Sequence, residues 1–230
     1  MKTTDGGTVT GLDRLHEKAG NVMHTSRTTL ALTGTAVLVA TAAVTGWAAH
    51  ARVPVTLNVT QSNGNCNVSW TKPGLTFTPA TPGTGTSSYA LTNGTGTVTI
   101  DLAQATDPVA LAKSVSMGGS FSGGFTLTDA AGRSLQISDG QATAPTGGAS
   151  YVVRTPSRPA GVRIPVYVYE SPTMLVPQVS SLLPPKVSVA VTEAKVDVTP
   201  EFAQALNTTF GAGTVSSGAP FGSCTANVVT

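Results

Sequence analysis

From residue 53 onward, apolar and polar residues alternate with a period of two in one segment after another. In Val53-Pro54-Val55-Thr56-Leu57-Asn58-Val59-Thr60 the apolar residues other than Pro54 fall on odd positions, which predicts a strand with one buried face. Cys66, Val68 and Trp70 continue such a face in a second strand, and Val98, Ile100 and Leu102 mark the next. Phe125 and Leu127, then Leu135 and Ile137, flank the turn Asp129-Ala130-Ala131-Gly132 and predict a hairpin. Two further strands, at 151–154 and 162–169, enclose a Pro-rich loop at 155–161. Val187, Val189 and Val191 with Val196 and Val198 read as a hairpin-like pair, and Cys224, Ala226 and Val228 alternate in a last strand. Pro73-Gly74 and the stretch 79–88 read as turns and an exposed loop, because Gly and Pro punctuate regular structure.

Helical signals are few. Pro200 to Phe210 is the clearest: Thr199 can cap it, Glu201 suits the first turn, Phe202 and Leu206 share a face, and Gly211 can end it. Asp107-Pro108 before VALAKSVS offers a second, shorter start. Eight to ten strands with a turn about every ten residues predict an all-β fold, an antiparallel β-sandwich or partly open barrel with one short C-terminal helix. Composition agrees with this. Only 10% of residues are charged and 5% aromatic, which excludes coiled coils and highly charged disordered chains.

The N-terminal part reads differently. No residue from Thr28 to Ala49 is charged, Arg27 precedes this apolar run, and Ala49-His50-Ala51 supplies a small-residue cleavage site. Together these match a secretory signal peptide over 1–51, with Met23 as an alternative start, leaving 52–230 as a single exported β-domain. The alternative is an uncleaved membrane anchor. Either way the remainder is expected to be secreted or associated with the cell surface, with membrane contact only through that segment.

Residues after Ala51 carry nine Lys/Arg against eight Asp/Glu and no histidine. Without a basic run, nucleic acid is not an expected partner. Lacking His, the exported part also has no ordinary base for Ser-His-Asp or Cys-His chemistry. Ser69-Trp70-Thr71-Lys72 fits S-x-x-K, yet it runs into Pro73 and no K-T-G accompanies it. A carboxylate-dependent hydrolase would have to draw on Asp101 with Asp197 or Glu170. The expectation is therefore a protein with no catalytic residues and no metal site. Cys66 and Cys224 are the only cysteines, and in an oxidising compartment they are expected to form a disulfide between the first and last strands.

The runs GGSFSGGFTLTDAAGRSLQISDGQAT, RIPVYVYE and VDVTPEFAQALNTTFGAGTVSSGAPFGSCTANV lie between Val115 and Val228. Their layout resembles the secreted actinobacterial β-domains of the haemin-transport-associated (HtaA-type) family. That resemblance implies a surface β-domain and, for some members, haem held at a site containing Tyr and His that precedes this region. The matching histidine and the aromatic motif near the domain start are absent here. The sequence thus sets haem, or another small apolar ligand, as the alternative to an exported protein acting by binding or as a structural component, with a surface or extracellular protein or glycan as partner.

Within the strand at 162–169, simple alternation sends Val162, Ile164, Val166 and Val168 inward and leaves Arg163, Pro165, Tyr167 and Tyr169 on the other face. Two of the four tyrosines and an arginine on one outer face make Tyr167, Tyr169 and Arg163 the candidate binding residues. Arg154 and Arg158 flank the neighbouring Pro-rich loop.

Overall fold

The computed structural model describes residues 54–171 and 175–230. The apolar run and the Ala49-His50-Ala51 site lie outside the described residues. Twelve strands form one antiparallel sheet. In chain order they are β1 (Val55–Asn58), β2 (Gln61–Val68), β3 (Leu75–Pro79), β4 (Ser88–Ile100), β5 (Ser116–Ser122), β6 (Phe125–Asp129), β7 (Ser134–Ala144), β8 (Gly148–Thr155), β9 (Arg158–Tyr169), β10 (Leu175–Leu182), β11 (Pro185–Val198) and β12 (Pro220–Val229). Helix α1 (Pro108–Ser114) lies between β4 and β5, and α2 (Pro200–Phe210) between β11 and β12.

Pairing runs β2–β4–β5–β7–β8–β9–β11–β12 and returns to β2, so 8 strands close into a barrel. Closure removes the free edges that a sandwich would leave. The remaining strands extend the ring along its axis. β1 continues β2 along β4, β6 continues β5 along β7, and β10 continues β9 along β11, while β3 adds to β6.

Those extensions need β4, β7 and β11 to change neighbours partway along, and each does so at a bulge. Register slips between Thr92 and Thr95 in β4, between Ser138 and Gln141 in β7, and between Val191 and Ala194 in β11. Asn93, Asp139 and Glu193 sit at these slips with φ of 53°, 52° and 46°. Asn and Asp tolerate this left-handed region better than most residues, and a bulge bends its strand. Beside the β7 slip, a Cβ on Gly140 would stand 2.1 Å from Cε2 of Phe121, whose ring covers the backbone.

The bulge in β11 corrects one expectation. Val187 to Val198 is not a hairpin but part of a single strand of 14 residues. Its polar interruption at Thr192-Glu193 is the slip itself, and the true hairpin partner of its first half is β10. The Pro-rich loop is also shorter than expected: Thr155 pairs with Arg158, leaving only Pro156-Ser157 at the turn.

Two buried clusters fill the barrel. One is rich in aromatic rings and lies under α2, which buries Phe202, Ala203 and Leu206 against it. Full burial of a side chain such as Phe202 or Leu206 contributes roughly 1.5–3 kcal/mol. The other cluster is aliphatic, built from Val98, Ile100, Val187 and Val189, with Leu111 of α1 among them. Both helices start as the sequence indicates. Asp107 accepts from the Val109 and Ala110 amides, Thr199 accepts from the Phe202 amide, and each cap precedes a proline.

Cys66 and Cys224 face each other in the β2–β12 register and are bonded, with Cα atoms 4.1 Å apart and a sequence separation of 158. Closing so long a loop restricts the unfolded chain by about 5 kcal/mol in the entropic account. Nonreducing peptide mapping is expected to recover the two cysteines in one linked peptide. The double variant Cys66→Ala/Cys224→Ala is expected to lose several kcal/mol in denaturant unfolding; an unchanged midpoint would show that the bond does not restrain the barrel.

Candidate functional site

The aromatic cluster explains where the candidate tyrosines stand. β9 pairs Tyr151 with Ile164 and Ser150 with Pro165, but Ala149 with Tyr167, so Val166 is an extra residue in the strand. One inserted residue reverses the facing of everything after it. Tyr167 and Tyr169 therefore turn into the barrel and Val168 turns out, contrary to simple alternation: Tyr167 is only 3% exposed, Val168 43%. Arg163, before the bulge, stays outside as expected, exposed and donating to the Ser150 carbonyl at 3.3 Å. The structure thus separates Arg163 from the two tyrosines instead of gathering the three on one outer face.

Thr199 holds that bulge in place. Its hydroxyl donates to the Pro165 carbonyl at 2.7 Å and accepts from the Phe202 amide, while its own amide donates to the Val166 carbonyl. A single residue thus caps α2 and satisfies the two carbonyls that the irregular strand leaves over.

Inside, Tyr167 joins two tyrosines that alternation did not single out. Tyr89 of β4 and Tyr151 of β8 are buried beside it. The Tyr89 and Tyr151 hydroxyl oxygens are 2.9 Å apart, and the Tyr89 hydroxyl donates to that of Tyr167 at 3.3 Å. Each phenol has one proton. Because the Tyr89 proton goes to Tyr167, the short contact must be donated by Tyr151, and the chain runs Tyr151 to Tyr89 to Tyr167. The Tyr167 proton is left with no acceptor among the described residues. Burial, and next the charge of a neighbouring phenol, push all three well above the usual phenol value. Tyr169 is raised by burial as well. Around Phe221, Trp70 and Phe125 stack with ring centroids 5.6 and 6.0 Å away, Tyr167 lies tilted at 5.2 Å and Phe202 meets it edge-on at 5.8 Å.

Between the two clusters lies a cavity of about 120 Å³. Its walls include Tyr151, Tyr167, Tyr169, the Cys66–Cys224 bond and aliphatic residues such as Val191 and Val228. Among the described residues no Lys, Arg, Asp or Glu lines it. A groove of about 760 Å³ shares Thr95, Gly118, Gly119, Ser120, Ala142, Thr143, Ala149 and Tyr167 with it, so the wall between groove and cavity is built of small residues, three of them hydroxylic, and one phenol.

The carboxylates are placed elsewhere. Asp101 follows the end of β4 at the aliphatic side of the barrel, where it accepts from the Ala103 amide, and Asp197 lies near the end of β11 at the aromatic side. These two do not converge. Glu170 is exposed, Asp129 is held by Arg133 at 2.7 Å, and Asp139 accepts from Ser138, which in turn accepts from Arg154. Lys72 donates to the Gly213 carbonyl, and the Ser69–Lys72 segment is outside any helix. Among the described residues no group of three or more His, Cys, Asp or Glu side chains gathers as a metal site would need.

Sequence reasoning found Tyr167, Tyr169 and the disulfide but not the hydroxyl chain. Tyr89 is followed by Ala90-Leu91 and Tyr151 by Val152-Val153, so neither stood out by period. The usable signal was scarcity, since nearly all aromatic residues fall in strands or in α2 and must share one core.

The chain matches no family model and no curated protein sequence. Among solved structures it is similar to the C-terminal domain of HtaA from Corynebacterium glutamicum, with a TM-score of 0.47 and 14% identity, over 75% of this chain and 98% of that one.

Two measurements test this arrangement. Thr199→Val strands the Phe202 amide and the Pro165 carbonyl in a buried setting and is expected to cost about 2 kcal/mol. In an alkaline titration the raised phenols keep their protons in the folded barrel, while the unfolded chain ionises near pH 10. Stability is therefore full below about pH 10 and lost as pH rises above it. Tyrosinate absorbance is expected to rise together with loss of the fold; ionisation of the buried phenols in a barrel that stays folded would contradict the packing.

Proposed function

We propose that this chain is an exported, non-catalytic binding protein whose barrel holds a small apolar ligand in its interior. The observation that carries the reading is the cavity between the two core clusters, apolar on most sides and walled by Tyr151, Tyr167 and Tyr169. A well-packed core leaves few voids larger than a water molecule, and a dry void of about 150 Å³ accepts benzene. At about 120 Å³ the space here suits a molecule of that order.

The interior cavity itself has no room for haem. Ordinary sites for drug-sized molecules have volumes of about 300–1,000 Å³, well above this cavity. The Tyr89 and Tyr151 hydroxyls are engaged with other phenols, and no histidine follows His50 to support a tyrosinate ligand. The export half of the reading rests on the apolar run and the Ala49-His50-Ala51 site.

Intact mass of the extracellular protein is expected to begin at Arg52; recovery of full-length chain only in membranes would favour an anchor. Saturating benzene is expected to raise the melting temperature, since a ligand binding only the folded state at 100 times its Kd adds about 2.7 kcal/mol. Ala194→Val places extra methyl groups on the cavity wall and is expected to weaken benzene binding at least tenfold. A Soret band titrating to one haem per chain would overturn the choice of ligand.

A further inference from the structure

The cavity is not uniformly apolar, and the fully buried hydroxyl chain on its wall has a direction. The hydroxyl chain that begins at Tyr151 and passes through Tyr89 ends at Tyr167, and Tyr167 lines the cavity. A donor left over in a buried apolar setting carries a desolvation penalty until an acceptor reaches it. Tyr169 also lines the cavity but is only partly buried, in contrast to Tyr167. Thr95 and Ser120 bond each other at 3.0 Å, Thr143 donates to the Thr146 carbonyl and Thr225 to the Asn65 carbonyl, all on the exposed side. No cation lines the space to compensate an anion, and no acidic group to compensate a cation.

We infer that the cavity takes a small neutral carbonyl compound, a ketone or ester with a compact hydrocarbon body, whose oxygen accepts a hydrogen bond from the Tyr167 hydroxyl. This rests on the reading of the barrel as a binder of small apolar ligands and adds the ligand's polarity and orientation. The hydrocarbon body lies against the disulfide and the aliphatic wall, while the carbonyl points to the end of the phenol chain. Specificity follows from the leftover donor: a pure hydrocarbon of the same shape leaves the Tyr167 proton unpaired, and discrimination on such grounds exceeds that from a methylene group.

The experiment compares cyclopentanone with methylenecyclopentane, which replaces the carbonyl oxygen by a CH2 group of similar size. Saturation-transfer NMR titrations on the wild-type protein are expected to show cyclopentanone binding about tenfold more tightly. The carbonyl carbon of 13C-labelled cyclopentanone is expected to move downfield on binding. In Tyr167→Phe both probes are expected to bind alike and the downfield shift to vanish; a preference lost in Tyr169→Phe instead would move the donor to that phenol and overturn the inference. Equal binding of the two probes to the wild type would overturn the inference while leaving the small-ligand reading standing, and it would mean that the Tyr167 proton is spent on water. A preference that survives Tyr167→Phe would overturn it too. Binding of neither probe would remove the small-ligand reading itself. The carbonyl shift in the wild type decides the matter without any variant, should Tyr167→Phe fail to fold.

Discussion

Closure of the sheet is the constraint on which the other features of this molecule depend. A ring of paired strands has no edge to expose, but strands as long as β4, β7 and β11 cannot follow it straight from end to end. Each bends at a residue with positive φ and there exchanges one neighbour for another. That bend divides the interior into an aromatic half under α2 and an aliphatic half next to α1. The cavity lies where the halves meet. The bulges are what allow two differently packed cores to share one continuous wall, and the space between them is where neither core's side chains reach fully across.

A fourth irregularity, at Val166, acts on a side chain instead of on the course of a strand. Without it Tyr167 would face water and Val168 would face the phenols. Thr199 makes the irregularity affordable by accepting and donating at once, so the start of α2 and the inward turn of Tyr167 are parts of one local structure. Helix α2 then contributes Phe202 to the same ring cluster, 6.3 Å from Tyr167. Cap, bulge and core are linked through three consecutive residues, Val198, Thr199 and Pro200.

This pattern also explains which parts of the structure the sequence made legible. Period-two alternation survives wherever a strand is regular, and so Val98 and Ile100, Phe125 and Leu127, and the ends of α2 stand as expected. It fails at inserted residues, because a bulge leaves no mark in the hydrophobic pattern beyond a polar break that also looks like a turn. At Thr192-Glu193 that ambiguity turned one strand into an expected hairpin; at Val166 the inserted residue is itself apolar and shows no break, so alternation placed Tyr167 and Tyr169 on the wrong face. β5, SMGGSFS, was illegible for another reason. Gly119 approaches the neighbouring backbone so closely that a Cβ there would meet the Thr95 carbonyl at 2.2 Å, and such a strand has few apolar side chains to announce it. The disulfide was legible because only two cysteines exist, and its position follows from the β2–β12 pairing that closes the ring.

The phenol chain shows what alternation cannot encode even in a regular strand. Three hydroxyls in a closed ring would satisfy three donors with three acceptors. Here the contacts run from Tyr89 to each of the other two, and the Tyr151 and Tyr167 hydroxyls are not bonded to each other. An open chain of hydroxyls always has one bond fewer than it has protons, so one donor remains at its end. Phenylalanine at the three positions would keep most of the packing and bury no polar group, and replacing both partners of a buried hydrogen bond by apolar groups can be nearly neutral. The tyrosines therefore contribute little to stability that phenylalanine would not. What they add is direction: a single donor fixed at one side of an apolar space, held there by two further hydroxyls and by a bulge that turns its strand inward.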